Sequence, residues 1–186
     1  AKKYNLNFLS SGLLYRYAAL SLLRYKPKNA IIFLRKKFKK LDYKKLEKLK
    51  LHTPEISNYS AIIAKNVSIR NILKKFQKDF SKKFENCCIE GRDISTKILP
   101  NSDIKFFFCC SLKIAASRRF NELKKLNKNI IFEDVKKDLR KRNFLDIKRK
   151  NSPLLKHRDS VVIDTGKLSK KAMLKKMSKY VEKVIS

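Results

Sequence analysis

Ile104-Lys105-Phe106-Phe107-Phe108-Cys109-Cys110 is the stretch on which the fold turns. The run is almost continuously apolar and too short for a core helix, so it predicts a strand buried on both faces, as in a parallel sheet. On either side the texture becomes helical. Leu112–Leu126 follows as one helix, and a strongly basic helix runs from about Glu133 to Lys150. Upstream, Cys87-Cys88-Ile89 is a second short strand that ends in Gly91-Arg92-Asp93. Before it, Ile56, Tyr59, Ile63, Ile69, Ile72, Leu73 and Phe76 recur at mostly helical spacing from Glu55 to about Phe80. A third strand, Phe8-Leu9, precedes Ser10-Ser11-Gly12 and a helix over Leu13–Tyr25 that the serines cap. Val161-Val162-Ile163-Asp164 is a fourth strand. A last helix starts near Ser169 with Met173, Met177, Val181 and Val184 on its inner face. Short buried strands alternating with helices make a parallel sheet in an α/β fold.

Residues 26–54 interrupt that alternation with Lys-Pro-Lys-Asn, a basic amphipathic stretch over Ala30–Leu51, and His52-Thr53-Pro54. They read as a small lobe or insertion, not a second full domain. With 3 Gly and 4 Pro in 186 residues, the chain has too few turn residues for a β-sandwich or barrel. Its 43% hydrophobic content is too high for disorder.

The formal net charge is +32, from 48 Lys+Arg against 16 Asp+Glu. Such a field draws phosphates and polyanions. The lysines are nevertheless scattered along the whole chain, together with much Asn, Ile, Phe and Tyr, the residues of AT-rich codons. Most of the charge is therefore read as compositional drift and not as a nucleic-acid footprint. The aromatics sit in apolar runs and are not interleaved with basic residues, as a base-stacking platform requires. The 4 cysteines form two adjacent pairs, Cys87-Cys88 and Cys109-Cys110, with no metal-ligand spacing. They read as reduced core thiols of a cytosolic protein. No apolar run reaches membrane-spanning length.

In open α/β sheets ligands bind beyond the carboxyl ends of strands, which singles out Ser10 to Arg16, Gly91 to Asp93 and Asp164 to Gly166. Ser10-Ser11-Gly12-Leu13-Leu14-Tyr15-Arg16 puts a hydroxyl, helix N-terminal amides and a guanidinium within one turn, a sound phosphate site or simply a capped helix. Gly91-Arg92-Asp93 allows a sharp turn with Arg for a phosphate and Asp for a base or sugar donor. Arg142, Asp146 and Arg149, spaced by four and three, share one face of a helix. Two guanidiniums around one carboxylate suit a phosphorylated, hydroxyl-bearing ligand; the bland reading is a solvated face with ordinary ion pairs.

The joint order of these motifs resembles the cytidylate kinase family. The chain offers Ser11-Gly12 with Tyr15-Arg16, then Thr53-Pro54-Glu55-Ile56 opening a helix that reaches Arg70, then Gly91-Arg92-Asp93 and Ile104-Lys105-Phe106-Phe107. Arg118-Arg119-Phe120, Arg142/Asp146/Arg149 and Asp164-Thr165 complete it. The resemblance implies a P-loop kinase-like parallel sheet flanked by helices, with a reduced NMP-binding lobe and a helical lid. The core would comprise 1–25 and 81–186, the lid about 133–150, and the NMP-binding region 26–80. It implies phosphorylation of CMP and dCMP by ATP with Mg2+, in pyrimidine metabolism, by a cytoplasmic monomer without specific nucleic-acid binding. Arg16, Arg92 and Arg149 would hold the acceptor phosphate, beside Ser11 and Tyr15. Arg70 and Asp93 would read the cytosine edge, Arg142 and Asp146 would act from the lid, and Arg118 or Arg119 would lie near the ATP base. No metal ligand is expected among these residues.

Three departures accompany the resemblance. Ala61 stands where the family has a base-contacting Ser, with Ser60 one place earlier. The stretch 26–50 is shorter than the family's small β-lobe. The 186 residues contain no G-x-x-x-x-G-K-S/T, the loop that holds ATP phosphates. That loop and a central strand are expected immediately upstream of Ala1, so the chain as given is expected to be catalytically incompetent alone. Two alternatives stand beside this reading: a basic RNA- or ribosome-associated protein without enzymatic activity, and a sister nucleotide or shikimate-type kinase.

Overall fold

In the computed structural model, which describes residues 1–125, 129–150 and 152–185, Phe8-Leu9 lies in strand β1 (Asn7–Ser10). This strand runs parallel to β2 (Cys87–Glu90), with Leu9 opposite Ile89 and Ser10 opposite Glu90. The chain divides into two compact units, Ala1–Ile94 and Ser95–Ser186. This is a division by packing; the division into core and NMP-binding region expected from the sequence is one of roles, and the two boundaries differ.

In the first unit a 3-10 turn, Lys2–Tyr4, precedes β1. Helix α1 (Ser11–Tyr25) follows and is closed by Lys26 in the left-handed region at φ 40°. The stretch 26–50 folds as helix α2 (Ala30–Lys39) and a 3-10 segment, Tyr43–Lys48. It is not an appendage. Leu34, Phe38 and Leu46 join Leu9, Leu14 and Leu73 in one core cluster, and each fully buried Leu contributes roughly 1.5–3 kcal/mol. Edge-to-face contacts of Phe38 with Tyr17 and Phe76 tie α2 to its neighbours.

The spacing over Glu55–Phe80 predicts one helix, but the structure has two, α3 (Pro54–Ile63) and α4 (Val67–Lys83). Each starts on its own cap: the Thr53 hydroxyl accepts from Ile56 N at 3.3 Å, and Asn66 Oδ1 accepts from Ile69 N at 3.1 Å. The Asn66 amide is the reason for the break, since a short polar side chain that binds nearby backbone favours a helix start over an interior.

The second unit holds β3 (Phe106–Cys109) parallel to β4 (Val161–Asp164), with Cys109 opposite Asp164. Helices α5 (Leu112–Lys124), α6 (Phe132–Lys148) and α7 (Lys170–Ile185) accompany them, and α5 packs on α6. The expected end of α5 at Leu126 lies outside the described residues. The fold is α/β, with parallel strands flanked by helices, as the alternation predicts.

Three expectations about burial are corrected. β3 is not covered on both faces: Phe108 is 49% exposed. The four cysteines are thiols, as expected, but half-buried, not core. On α7, Met173, Met177 and Val181 are half-buried around Ser178, whereas Val184 is exposed near the chain end. No helix among the described residues is long and apolar enough to cross a membrane.

Candidate functional site

Because Ser10 pairs with Glu90 across β1 and β2, the carboxyl ends of both strands come out at one level. There the Ser10 hydroxyl accepts from Leu13 N at 3.3 Å, capping α1, and donates to Glu90 Oε1 at 2.5 Å. Arg16 folds back over this turn. Its Nη1 would lie 3.1 Å from a Cβ at Gly12, so any side chain at residue 12 would crowd the guanidinium.

Gly91 is more tightly enclosed. A Cβ there would meet Ser11 Oγ at 2.8 Å and Ile94 side-chain carbons at 3.0 Å. Only Gly lets the strand end approach α1 this closely. Beyond it Arg92 is half-buried and Asp93 is buried. Asp93 accepts from Arg70 Nη2 at 2.5 Å, with 10% and 11% of the two side chains exposed. Arg70 is also fixed by donation of Nη1 to Ala64 O at 3.3 Å, the carbonyl left open by the α3–α4 break, and lies 5.9 Å from the Tyr15 ring centre. The sequence-predicted Ser11, Tyr15, Arg16, Arg70, Arg92 and Asp93 thus all belong to the first unit, around the ends of β1 and β2.

Ser11 faces inward, not toward an open surface. It is 6% exposed, and its hydroxyl donates to Gln77 Oε1. Ser60 binds its own helix through Ser57 O at 2.7 Å, and Ala61 is exposed.

The second unit carries the other predicted residues. Asp146 stands between Arg149, whose Nη1 is 3.1 Å from Oδ1, and Arg142, whose Nε is 4.0 Å from Oδ2. Arg149 is the C-cap of α6 and not a member of its face; its Nε donates to Ser152 O, which bends the chain back under Asp146. Arg118 forks onto Thr165, with Nη1 3.0 Å from Oγ1 and Nη2 2.6 Å from the carbonyl. Arg119 turns away to Glu122 on its own helix at 3.0 Å. The turn Arg118 holds is closed by Asp164 Oδ1 accepting from Gly166 N at 2.8 Å.

Sequence reasoning missed Gln77 and Glu90. Gln77 is 2% exposed and interrupts the apolar stripe Ile69, Leu73, Phe76, Phe80 of α4, which is the signal that could have found it. Burial pushes the Cys88 thiol above its ordinary 9.0, so this neighbour of the site is a protonated, poorly nucleophilic packing residue at neutral pH. Among the described residues no three His, Cys, Asp or Glu side chains gather to hold a metal ion.

In chemical terms the first unit offers a helix N-terminus, three guanidiniums and a fixed carboxylate, a set suited to a ligand with one phosphate and one polar ring edge. The second offers guanidiniums on short tethers near strand and helix ends.

A family model described as Cytidylate kinase matches residues 1–183. The Cytidylate kinase of Bartonella tribocorum (strain CIP 105476 / IBS 506) is 33% identical over 190 positions, covering 100% of this chain and 86% of that protein. That of Rickettsia africae (strain ESF-5) is 32% identical, with 100% and 84% covered. That of Clostridium tetani (strain Massachusetts / E88) is 30% identical, with 100% and 86% covered.

Proposed function

Since the chain belongs to the cytidylate kinase family, and is thus related to nucleoside monophosphate kinases, we propose that it serves transfer of the ATP γ-phosphoryl group to CMP and dCMP. The observation that carries this reading is the Arg70–Asp93 pair beyond β2. Cytosine presents ring-nitrogen and carbonyl acceptors beside an amino donor. An Arg donor next to an Asp acceptor complements that edge, whereas uracil reverses part of it and leaves a buried polar group unmatched. The nearby arginines supply the rest: Arg16 and Arg92 hold the acceptor phosphate, and Tyr15 flanks Arg70.

Phosphoryl transfer needs little covalent help from a protein; positioning and neutralisation of spreading charge carry most of it. In this reading Arg142 and Asp146 act from a lid that excludes water, Asp146 keeping Arg149 aimed. Arg118 braces the Asp164-Thr165 turn near the ATP base. ATP with Mg2+ is the proposed donor, and the metal neutralises phosphate charge when bound. Among the described residues no three His, Cys, Asp or Glu side chains gather at one point, and the 186 residues contain no G-x-x-x-x-G-K-S/T. The reading includes a monomer acting on free nucleotides in the cytoplasm. The basic nucleic-acid-binding alternative gains nothing from a family match over residues 1–183.

The test is a thermal shift series with CMP, UMP and AMP, joined to an assay of ADP release. CMP is expected to raise the melting temperature of the chain clearly more than UMP or AMP, while ADP release by these residues alone stays at background. Equal or absent shifts with all three nucleotides remove the cytidine assignment. Robust ADP release removes the claim that these residues lack a donor site.

A further inference from the structure

Gln77 is among the most deeply buried polar residues of the first unit, at 2% exposure, and no role above uses it. An amide has two donors and an acceptor, and burying it unsatisfied is costly. Here both ends are engaged. Nε2 donates back to Leu73 O on the same helix at 3.0 Å, and Oε1 accepts from the Ser11 hydroxyl. The first bond fixes the rotamer; the second connects α4 to the first residue of α1. Ser11 Oγ in turn is the atom a Cβ at Gly91 would strike at 2.8 Å.

Three elements therefore meet at one hydroxyl: α4 through Gln77, α1 through Ser11, and the end of β2 through Gly91. Each carries a member of the proposed acceptor site, namely Arg70 on α4, Tyr15 and Arg16 on α1, and Arg92 with Asp93 beyond β2.

We propose that Gln77 is a positioning residue for acceptor nucleotide binding. It touches no ligand; through Ser11 it sets the spacing of the three elements, so that Arg70–Asp93 and Arg16 face one nucleotide at the same time. This deepens the proposed function and rests on it.

The test compares CMP affinity with stability in the full chain, using Gln77→Met, which keeps the length and removes both polar atoms. Leu73→Ala, one turn away on α4, serves as a control that loosens the core while keeping the residue 73 carbonyl to which Gln77 donates. Calorimetric titration with CMP is expected to show about tenfold weaker binding for Gln77→Met, the equivalent of one lost buried hydrogen bond. Leu73→Ala, though at least as destabilised by melting, is expected to bind CMP within about twofold of the unsubstituted chain, because core cavities cost stability at the site of the cavity. Should Gln77→Met not fold, Gln77→Glu at pH near 6 replaces it. Its buried carboxyl is then protonated and keeps both bonds, and CMP affinity relative to the unsubstituted chain is expected to fall as pH rises and the carboxyl ionises. Unchanged affinity in Gln77→Met, a pH-independent ratio in Gln77→Glu, or equal losses in Leu73→Ala overturns the inference alone. An unsubstituted chain that binds no CMP overturns the proposed function and this inference with it.

Discussion

At the residue scale, two ion pairs of the first unit show why environment decides worth. Arg70 and Asp93 are joined at 2.5 Å with about a tenth of each side chain exposed, while Lys75 and Asp79 are joined at 3.0 Å with 78% and 55% exposed. Removing one partner of a buried pair strands the other charge in a poor solvent; removing one partner of a surface pair returns the other to water. Asp93→Ala is accordingly expected to lower unfolding stability by about 3 kcal/mol, and Asp79→Ala by no more than about 0.5 kcal/mol, in urea titrations of both variants. Comparable losses contradict the buried pair. Asp93 and Arg70 were individually legible in the sequence, one from the Gly91-Arg92-Asp93 turn and one from the resemblance. Their contact was not, because residues 23 positions apart in sequence announce no pairing. Gln77 escaped for the same reason: its partner Ser11 lies 66 residues away.

At the scale of elements, the α3–α4 break matters most for the site, because it frees the Ala64 carbonyl that accepts from Arg70. Asn66 makes the break by capping α4. Asn66→Ala is expected to cost about 1 kcal/mol by losing the bond to Ile69 N, read as a lower urea midpoint with an unchanged slope. A neutral result contradicts the cap. Helical periodicity ran through this break undetected because Ile63 and Ile69 stay on buried positions on both sides of it. The four strands, by contrast, were visible in place: β4 at its observed limits, β2 within one residue, β1 as its central pair, and β3 inside the longer run Ile104–Cys110. Short apolar runs bounded by turn residues mark strands without fixing their ends. What the runs could not reveal was how many neighbours each strand has. The same ambiguity explains β3: a run as apolar as Phe106–Cys109 is equally compatible with a central strand and with a strand paired on one side.

At the scale of the whole molecule, a net charge of +32 on 186 residues opposes every compact state. Raising ionic strength from about 0.01 M to about 0.15 M shortens the screening length from about 30 Å to about 8 Å. The melting temperature is expected to rise by at least about 2 °C over that range, the equivalent of about 1 kcal/mol for a chain of this size. A fall on scanning calorimetry would mean that attractive pairs outweigh the repulsion. The charge was fully legible in the composition; its scatter over many faces is what kept it from naming a partner. The strands give the same experiment a second consequence. β1 and β3 each have a strand on one edge only among the described residues, and Phe108 of β3 is exposed. Such edges are templates for a second chain. In dilute salt, mutual repulsion keeps molecules from approaching closely enough to use them. Salt that steadies each fold therefore removes the colloidal barrier as well, and the concentration at which light scattering sets in falls as the melting temperature climbs.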